Sequence, residues 1–477
     1  TFANALNNAF LSDDLAEIVQ NPRVGDFSYI FTHPFGFIRI LLNFFAYHIG
    51  GLNPALFRLI NYSFHLGSVF LIYVILNALY NKRVAFIAAV IFAVHPGISE
   101  AVVWISGGTY PQYTFFFLLS FLLYILGKGK TKLYILSVVV FSFTFMSHPV
   151  MPLALPLIFL LYELVFGNLK KNWTKSIPFF LLTIAYVLIN ISALPERETT
   201  LRSVHYQERG VDNPLVLIPV AVSSYFELIF FPKTLTLYHS ELAFNTFEFT
   251  TRALICLLFL GLTIVSFKKS KTIFFWSAFF WLSLAPTLTP FRLNWIVAER
   301  YLYLPSLGIF VLVALLLNKL AQKKQYKATI YGLVVFMVIL LAGRTIIRNI
   351  DWKNEDNLWI ATGKTSPSSP NTHNNLGDVY GRRGDKERSL QEFQTAIALK
   401  PDYADAYHNA GNVYRELGKL DKALEYYQKA AGISPILWQS YQNMAAIYFE
   451  QKQYDKALEY VQKAIQINPK NINLYIN

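Results

Sequence analysis

The sequence is poor in the residues that build disulfide frameworks, metal centres and nucleotide-binding loops. The chain has a single cysteine, Cys256, which lies in an apolar run. One cysteine cannot form an intrachain disulfide, so the sequence does not indicate the redox compartment. No cysteine and histidine spacing typical of a metal site occurs, and we predict no protein-bound metal. A glycine-rich phosphate loop is also missing, which argues against a nucleotide-linked substrate.

Charged residues are scarce as well, at 15% of 477 residues, whereas 54% are hydrophobic and 16% aromatic. This is the composition of a membrane protein, and the first three-quarters of the chain carries it. From about Asp351 the chain is rich in Asn, Gln, Lys, Glu and Tyr, as in soluble helical modules. The net charge of +13 lies mostly in short Lys and Arg clusters between apolar runs, which indicates membrane orientation and no nucleic-acid partner.

A membrane crossing needs about 20 apolar residues. Runs of roughly that length lie at 54–79, 84–106, 109–127, 131–148, 149–167, 176–194, 251–267, 272–290, 298–318 and 328–348. Residues 35–50 are shorter and favour an interfacial helix. The chain begins at Thr1 without a methionine or a visible signal peptide, so we expect an apolar segment before it. Ten crossings are predicted, or eleven with that segment.

Loop charge sets the predicted orientation. Basic loops without acids should be cytoplasmic, and their members are Lys82, Arg83, Lys128, Lys130, Lys132, Lys170, Lys171, Lys175, Lys268, Lys269, Lys271, Lys319, Lys323, Lys324 and Lys327. A crossing at 214–231 would move the Lys268 cluster outside, so we interpret this run as a non-crossing or re-entrant helix. The first loop, the His95 and Arg300 loops and the chain after Arg348 are then extracytoplasmic.

A 34-residue period begins near residue 370, with small residues, tyrosines and prolines recurring in phase. The recurring residues are Gly377, Gly411 and Ala445; Tyr380, Tyr414 and Tyr448; Ala396, Ala430 and Ala464; and Pro401, Pro435 and Pro469. This is the tetratricopeptide pattern, in which each repeat is a pair of helices. It predicts complete repeats at 370–403, 404–437 and 438–471 and the start of a fourth. We therefore expect an all-α chain, a polytopic membrane bundle followed by an α-solenoid.

Three asparagines, Asn375, Asn409 and Asn443, recur in the first helix of each repeat. They are predicted to line the concave face, where amide groups could hold an extended acceptor peptide. The alternative is that asparagine is simply common at this position of the repeat.

Several motifs together resemble one known family. The segments NALNNAFLSDDLAEIVQNP, FAVHPGISEAVVWISGG, VAERYLYLPSLG and RNIDWKNEDNLW and the terminal repeats are similar to the transmembrane-and-tetratricopeptide-repeat (TMTC) family, over essentially the whole chain. The resemblance implies the GT-C fold of membrane glycosyltransferases in residues 1–350, a linker helix at 351–369 and repeats in 370–477. It also implies O-mannosylation of proteins from a polyprenyl-phosphate sugar. The chain departs from the family after Gly107, where Gly108-Thr109 stands in place of an arginine.

Two adjacent carboxylates, Asp13 and Asp14, are the predicted catalytic residues. Transfer of a sugar from a lipid phosphate needs a base for the acceptor proton, while the phosphate leaves from the opposite face without a general acid. Either aspartate could be that base. The alternative is that the pair caps the helix that starts near Leu15, since Asp is a favoured N-cap residue.

The donor phosphate is predicted to bind Arg300, next to Glu299, at the outer start of a span. Arg292, Arg197 and Arg202 are further candidates. The alternative for Arg300 is a structural ion pair with Glu299 or another acid.

His95, Glu100 and Tyr301 are further pocket candidates, because polar groups near the membrane interior are costly and often functional. His95 precedes Pro96, so it could instead bond backbone groups at a helix break. His148-Pro149 repeats that arrangement, which favours the structural interpretation there.

The predicted function is therefore an inverting transfer of a mannose-like sugar from a polyprenyl phosphate to Ser or Thr hydroxyls of proteins. Beyond the lipid-linked donor no cofactor is required, and whether a divalent metal assists is left open. Its partners would be membrane lipid, the donor and an acceptor protein bound by the repeats, in a prokaryotic plasma membrane or the endoplasmic reticulum. The alternatives are a non-catalytic scaffold anchored in the membrane and, less favoured, a carrier of lipid-linked sugars.

Overall fold

The computed structural model describes residues 1–32, 36–191, 213–242, 244–288, 296–469, 471 and 473–476. Within those ranges the chain is helical and contains no β-strand, which confirms the all-α prediction. It divides into two compact units, Thr1–Asn357 and Leu358–Asn477.

The first unit contains helices of membrane-spanning length. Among the residues that the structure describes, five helices are long and apolar enough to cross, namely Pro54–Leu79, Ser106–Leu126, Leu169–Asn190, Thr246–Lys269 and Lys324–Asp351. Lys82–Val94 and Pro96–Val103 would make a sixth as one span bent by 61°. The protein is therefore a multi-pass membrane protein.

Other helices of this unit are shorter than a full crossing. They are Tyr29–Thr32, Phe37–Gly50, Thr131–Ser147, Pro156–Val165, Pro214–Phe230, Lys271–Leu284 and Ser306–Leu320. Several of these helices occupy predicted crossings, so the total of ten crossings stays a prediction. The run interpreted as non-crossing forms the 17-residue helix Pro214–Phe230.

A helix break at His95-Pro96 directs the chain into the site described below. Proline lacks an N–H group and cannot continue the helix that ends at Val94. His95 Nδ1 accepts a hydrogen bond from the Gly97 N–H at 3.1 Å, which caps the next turn. The short helix Ser99–Val103 follows, and then a 3₁₀ turn at Ser106–Gly108 opens the span that ends at Leu126.

The helix Glu355–Thr365 lies across the boundary between the two units. In its described residues, the second unit then contains three helix pairs and the short helix Asn473–Ile476. The pairs are Pro370–Arg382 with Lys386–Leu399, Ala404–Glu416 with Leu420–Ile433, and Trp438–Glu450 with Tyr454–Ile467. A Cβ atom at Gly377 would lie 2.6 Å from the Phe393 ring, and one at Gly411 would lie 2.7 Å from Tyr427. The recurring small residues therefore allow the close helix approach that the repeat pattern predicts.

Candidate active site

The first loop turns sharply just before the two aspartates. Ser12 has a φ of 51°, a left-handed conformation that non-glycine residues seldom adopt. After this turn the Asp13 side chain is exposed, whereas Asp14 is fully buried. The adjacent carboxylates therefore lie in opposite environments.

Asp14 ties the loop to the membrane helices. Its Oδ1 accepts hydrogen bonds from the Ser106 N–H at 2.8 Å and the Ser106 hydroxyl at 2.5 Å, and its Oδ2 accepts from the Leu11 N–H at 3.1 Å. Burial raises the pKa of Asp14 to about 6, although these hydrogen bonds and Arg58 act in the opposite direction. Asp14 stands at the N-cap position of the π-helix Leu15–Val19 but makes no capping hydrogen bond. These hydrogen bonds fix the loop, and a catalytic role of Asp14 stays a prediction.

Asp13 lies among charges of both signs. Desolvation by the surrounding protein raises its pKa, and the Glu17 carboxylate raises it further, while Arg300 and Arg39 lower it. Arg39 itself forms an ion pair with Glu17. Asp13 is thus an exposed carboxylate flanked by two guanidinium groups, a suitable position for a base beside an anionic substrate.

Arg58 holds the first loop through hydrogen bonds to backbone carbonyls. This residue was not predicted from the sequence as part of the site. Its Nε donates to Val103 O at 2.8 Å, and its two terminal nitrogens donate to the carbonyls of Leu6, Asn8 and Ala9. The side chain is fully buried in the helix Pro54–Leu79. An arginine inside an apolar span was the available signal, because such a residue is costly without partners.

Arg300 forms an ion pair with Glu100. The alternative interpretation of Arg300 expected such a pair with Glu299 or another acid. Its backbone N–H donates to Glu100 Oε2 at 2.8 Å, and its guanidinium contacts Glu100 Oε1. The guanidinium carbon lies 5.6 Å from the centre of the Trp104 ring and 5.2 Å from that of Tyr301. The Arg300 side chain keeps 13% of its surface exposed, and that of Glu100 keeps none.

Glu299 belongs to a different, fully buried ion pair. Its Oε1 accepts from Arg348 at 2.9 Å and from the Thr236 N–H at 2.5 Å, and Arg348 also contacts Asp351 at 3.0 Å. With no exposed surface, the Glu299 side chain cannot contact a donor in this arrangement. The predicted neighbours Glu299 and Arg300 therefore point to separate partners.

His95 occupies the helix break and not the mouth of a pocket. It is 1% exposed, and its Nε2 bonds to Ile229 O at 2.9 Å. His148 repeats the arrangement, with its Nδ1 accepting from the N–H groups of Val150 and Met151. The structural alternative therefore describes both histidines. Tyr301 is 2% exposed and packs 6.0 Å from the Tyr110 ring.

Gly108, where the chain departs from the family pattern, packs against Asn61. A Cβ atom at Gly108 would lie 1.8 Å from the Asn61 side-chain oxygen, so a side chain there would force Asn61 to move. Asn61 Nδ2 donates to Trp104 O at 3.0 Å and Ile105 O at 3.2 Å. Asn61 thus holds the turn that presents Ser106 to Asp14. Arg197, Arg202 and Arg292 lie outside the described residues.

An apolar cavity of about 960 Å³ lies between the helices Pro214–Phe230, Thr246–Lys269 and Ser306–Leu320. Its lining includes Phe226, Phe230, Phe231, Phe244, Phe247, Phe259, Leu258, Leu262, Leu312 and Leu316. Arg252 also lines it, bonded to Ser223 and Ser224 and paired with Glu227 at 3.3 Å. Such a cavity suits a long hydrocarbon chain.

The repeat asparagines already use their amide donors within the repeat unit. Asn375 Nδ2 donates to Asn371 O at 2.7 Å, Asn409 Nδ2 to Asn374 Oδ1 at 3.1 Å, and Asn443 Nδ2 to Asn412 Oδ1 at 2.8 Å. All three side chains are half-buried. Their role in acceptor binding stays a prediction. Among the described residues no group of three or more His, Cys, Asp and Glu side chains could hold a metal ion.

The tetratricopeptide repeat family matches residues 374–435 and 438–471. Mouse protein O-mannosyl-transferase TMTC3 is 25% identical over 400 residues, 75% of this chain and 43% of that protein. The expected resemblance to the TMTC family is confirmed. The Caenorhabditis elegans protein O-mannosyl-transferase F38B6.6 is 24% identical over 67% of this chain and 46% of its own length.

Drosophila melanogaster Tmtc2 is 38% identical over 117 residues, 24% of this chain and 12% of that protein. The chain spans less than half the length of these curated relatives. Among solved structures, MamA is 27% identical and covers 32% of this chain and 86% of its own, with a TM-score of 0.23. A score this low does not establish a shared fold.

Proposed function

We propose that this chain is a membrane glycosyltransferase of the GT-C type. It transfers a mannose-like sugar from a polyprenyl phosphate to a Ser or Thr hydroxyl of a protein, on the extracytoplasmic side. The TMTC relatives are named protein O-mannosyl-transferases, which supports the activity. The observation that carries the proposal is the exposed carboxylate of Asp13 beside the partly exposed guanidinium of Arg300.

The reaction needs one base and one cation. Asp13 takes the proton of the acceptor hydroxyl as its oxygen bonds to the anomeric carbon. The bond from that carbon to the phosphate oxygen breaks, and the polyprenyl phosphate leaves with the bonding electrons. A single displacement of this kind inverts the anomeric centre. The raised pKa of Asp13 suits it to accept a proton.

Arg300 is the proposed partner of the departing phosphate. A guanidinium has five N–H donors, and the side-chain contact with Glu100 uses one of its terminal nitrogens. The remaining donors can meet phosphate oxygens as negative charge develops on them. Glu100 and the rings of Trp104 and Tyr301 hold the guanidinium in place.

The apolar cavity between the helices Pro214–Phe230, Thr246–Lys269 and Ser306–Leu320 is the proposed location of the polyprenyl tail. Residues from Phe247 to Leu262 of the helix Thr246–Lys269 line this cavity, over about 22 Å of helix length. That length covers most of a bilayer core of about 30 Å. The repeat unit, a type of module that binds other proteins, would present the acceptor.

The test is transfer of labelled sugar from a panel of polyprenyl-phosphate sugars to acceptor proteins by the full chain. Asp13→Asn should lower transfer by a factor of about 10²–10⁴, the usual contribution of a general base. Asp26→Asn is the matched control, because Asp26 is in the same segment but pairs with exposed Arg23 and should leave the rate unchanged. Equal labelling by wild type and Asp13→Asn, or none with any donor, would instead favour a scaffold that recruits proteins through its repeats.

A further inference from the structure

A second cavity lies at the other end of the membrane unit from the two aspartates. It has a volume of about 240 Å³, and the turn at 127–131, the end of the helix Pro156–Val165 and Lys175 contribute to its lining. The helix Thr109–Leu126 starts directly after the turn that binds Asp14 and ends at this cavity. Its 18 residues span about 27 Å. The two sites therefore lie near opposite surfaces of a bilayer core about 30 Å thick.

The turn beside the cavity has a defined geometry. The Lys130 N–H donates to Gly127 O at 2.9 Å, and Gly129 has a φ of +78°, so the four residues form a β-turn that requires glycine at its third position. Lys128 and Lys130 flank that glycine and both line the cavity. The helix Thr131–Ser147 starts here without a side-chain cap. Its Leu133 N–H bonds to Lys130 O at 3.1 Å, which leaves the N–H groups of Thr131 and Lys132 available to an anion.

The cavity is basic. Lys128, Lys130 and Lys175 form no ion pair with any carboxylate in the part of the chain that the structure describes. The acid in the lining, Glu163, is 5% exposed. Its carboxylate accepts hydrogen bonds from the Tyr124 hydroxyl at 2.9 Å, the Asn168 N–H at 3.1 Å and Asn172 Nδ2 at 2.8 Å. Glu163 is therefore fixed by neutral donors, and the three ammonium groups are left to bind another anion.

From this geometry we infer that the cavity binds the phosphate headgroup of an anionic membrane phospholipid. Lysine binds phosphate as a point charge, and basic pockets between membrane helices on the cytoplasmic side recognise anionic headgroups. The volume is below the range of cavities that enclose a whole drug-sized ligand, so it suits a headgroup whose acyl chains stay in the bilayer. The site lies far from Asp13 and does not depend on the proposed transfer reaction.

The test uses the full chain reconstituted in lipid nanodiscs, followed by native mass spectrometry of retained lipid. In wild type, phosphatidylglycerol should be retained in preference to phosphatidylcholine. A triple variant with Lys128→Gln, Lys130→Gln and Lys175→Gln should lose at least about tenfold of that retention, since each lysine near a membrane surface contributes to anionic-lipid binding. The matched control carries Lys268→Gln, Lys269→Gln and Lys271→Gln, which removes three exposed lysines that do not line the cavity. It should retain the lipid.

Two further arms separate the remaining explanations. A triple Lys→Arg variant at 128, 130 and 175 keeps the charge and should keep the lipid, which distinguishes a lost site from a misfolded protein. Inorganic phosphate at matched ionic strength should not raise the wild-type melting temperature as much as phosphatidylglycerol does. Equal retention by the cavity variant and its Gln control, or stabilisation by inorganic phosphate without lipid retention, would overturn the inference.

Discussion

The membrane unit contains a completely buried ion pair, whereas an ion pair of the repeat unit lies at the surface. Arg348 and Glu299 in the membrane unit are 2.9 Å apart, and neither side chain has exposed surface. Arg415 and Glu450 in the repeat unit are 2.7 Å apart, with 35% and 47% of their side chains exposed. Removing one partner of a buried pair is strongly destabilising, because it leaves an uncompensated charge in the interior. An exposed pair contributes little.

The same contrast separates the two aspartates of the first loop. Asp14 is buried and bonded like the ionic groups of the membrane core, whereas Asp13 is exposed like those of the repeat surface. Glu100, Glu299 and Asp14 are fully buried, whereas Asp13 is exposed and Arg300 lowers its pKa. This difference supports the proposal that Asp14 holds the loop and that Asp13 is the base.

Replacing one member of the buried pair should have the largest effect on stability. Arg348→Met leaves Glu299 without its cation, and we expect the free energy of unfolding to fall by about 3–5 kcal/mol. Arg415→Met in the repeat unit is the control and should cost no more than about 1 kcal/mol. Denaturant titration of both variants in detergent micelles checks this. Equal losses of unfolding free energy in the two variants would contradict the contrast between the buried and the exposed pair.

Removing the hydroxyl that binds Asp14 should have the next largest effect. Ser106→Ala takes away the 2.5 Å hydrogen bond to Oδ1 while the backbone N–H bond remains. Hydrogen bonds to charged groups contribute about 1.5–3 kcal/mol, and we expect a loss in that range with a more mobile first loop. The control is Ser142→Ala, whose hydroxyl bonds only to its own helix at Val139. The measurement is hydrogen exchange of residues 9–19 in both variants. Equal exchange in Ser106→Ala and Ser142→Ala would contradict the proposal that Asp14 fixes the loop.

Filling the apolar cavity should change donor affinity by a smaller amount. Leu258→Trp places a large ring in the proposed tail site, and KM for long-chain donors should rise about tenfold, or about 1.4 kcal/mol. A donor with a short prenyl chain should be unaffected. Leu257→Trp is the matched control, because the two leucines are adjacent and similarly exposed, at 62% and 64%, but only Leu258 lines the cavity. An equal KM change for both chain lengths would exclude this cavity as the tail site.

The smallest effect concerns a titratable contact in the repeat unit. His373 bonds to Glu392 at 2.6 Å and to Pro367 O at 2.9 Å, and the Glu392 hydrogen bond raises its pKa above 6.5. A raised native pKa gives stability that is fully present below pH 6.5 and is lost as the pH rises through the native value. We expect a contribution below about 1 kcal/mol, seen as lower protection against hydrogen exchange near Pro367 at high pH, after correction for the intrinsic pH dependence of the exchange rate. Glu392→Gln should abolish the pH dependence of this protection. A dependence that persists in the variant would show that another titratable group causes it.

Much of the fold could be read from the sequence, because its signals are local. The recurrence of Gly377 and Gly411 predicted close helix packing, and the apolar runs predicted spans such as Pro54–Leu79. Helix length was harder to predict. The predicted crossing at 272–290, for example, contains a helix of only 14 residues, Lys271–Leu284. A run of apolar residues does not reveal where a helix ends inside it.

The candidate site was only partly predictable, because its contacts join distant parts of the chain. The sequence indicated Asp13 and Asp14 but could not assign their roles, which depend on the backbone turn at Ser12. The pairing of Arg300 with Glu100 joins residues 200 positions apart, and no single-sequence pattern reports it. Arg58 carried a local signal, because it is a charged residue within an apolar run, but that signal does not reveal which carbonyl groups the side chain contacts.

The most direct test compares Asp13→Asn with Asp14→Asn in the full chain, measuring sugar transfer and melting temperature for each variant. The account predicts that Asp13→Asn keeps the wild-type melting temperature but loses transfer. It predicts that Asp14→Asn lowers the melting temperature, because one of the three donors to that carboxylate loses a suitable acceptor. Normal transfer by Asp13→Asn, or an unchanged melting temperature in Asp14→Asn together with lost transfer, would contradict it.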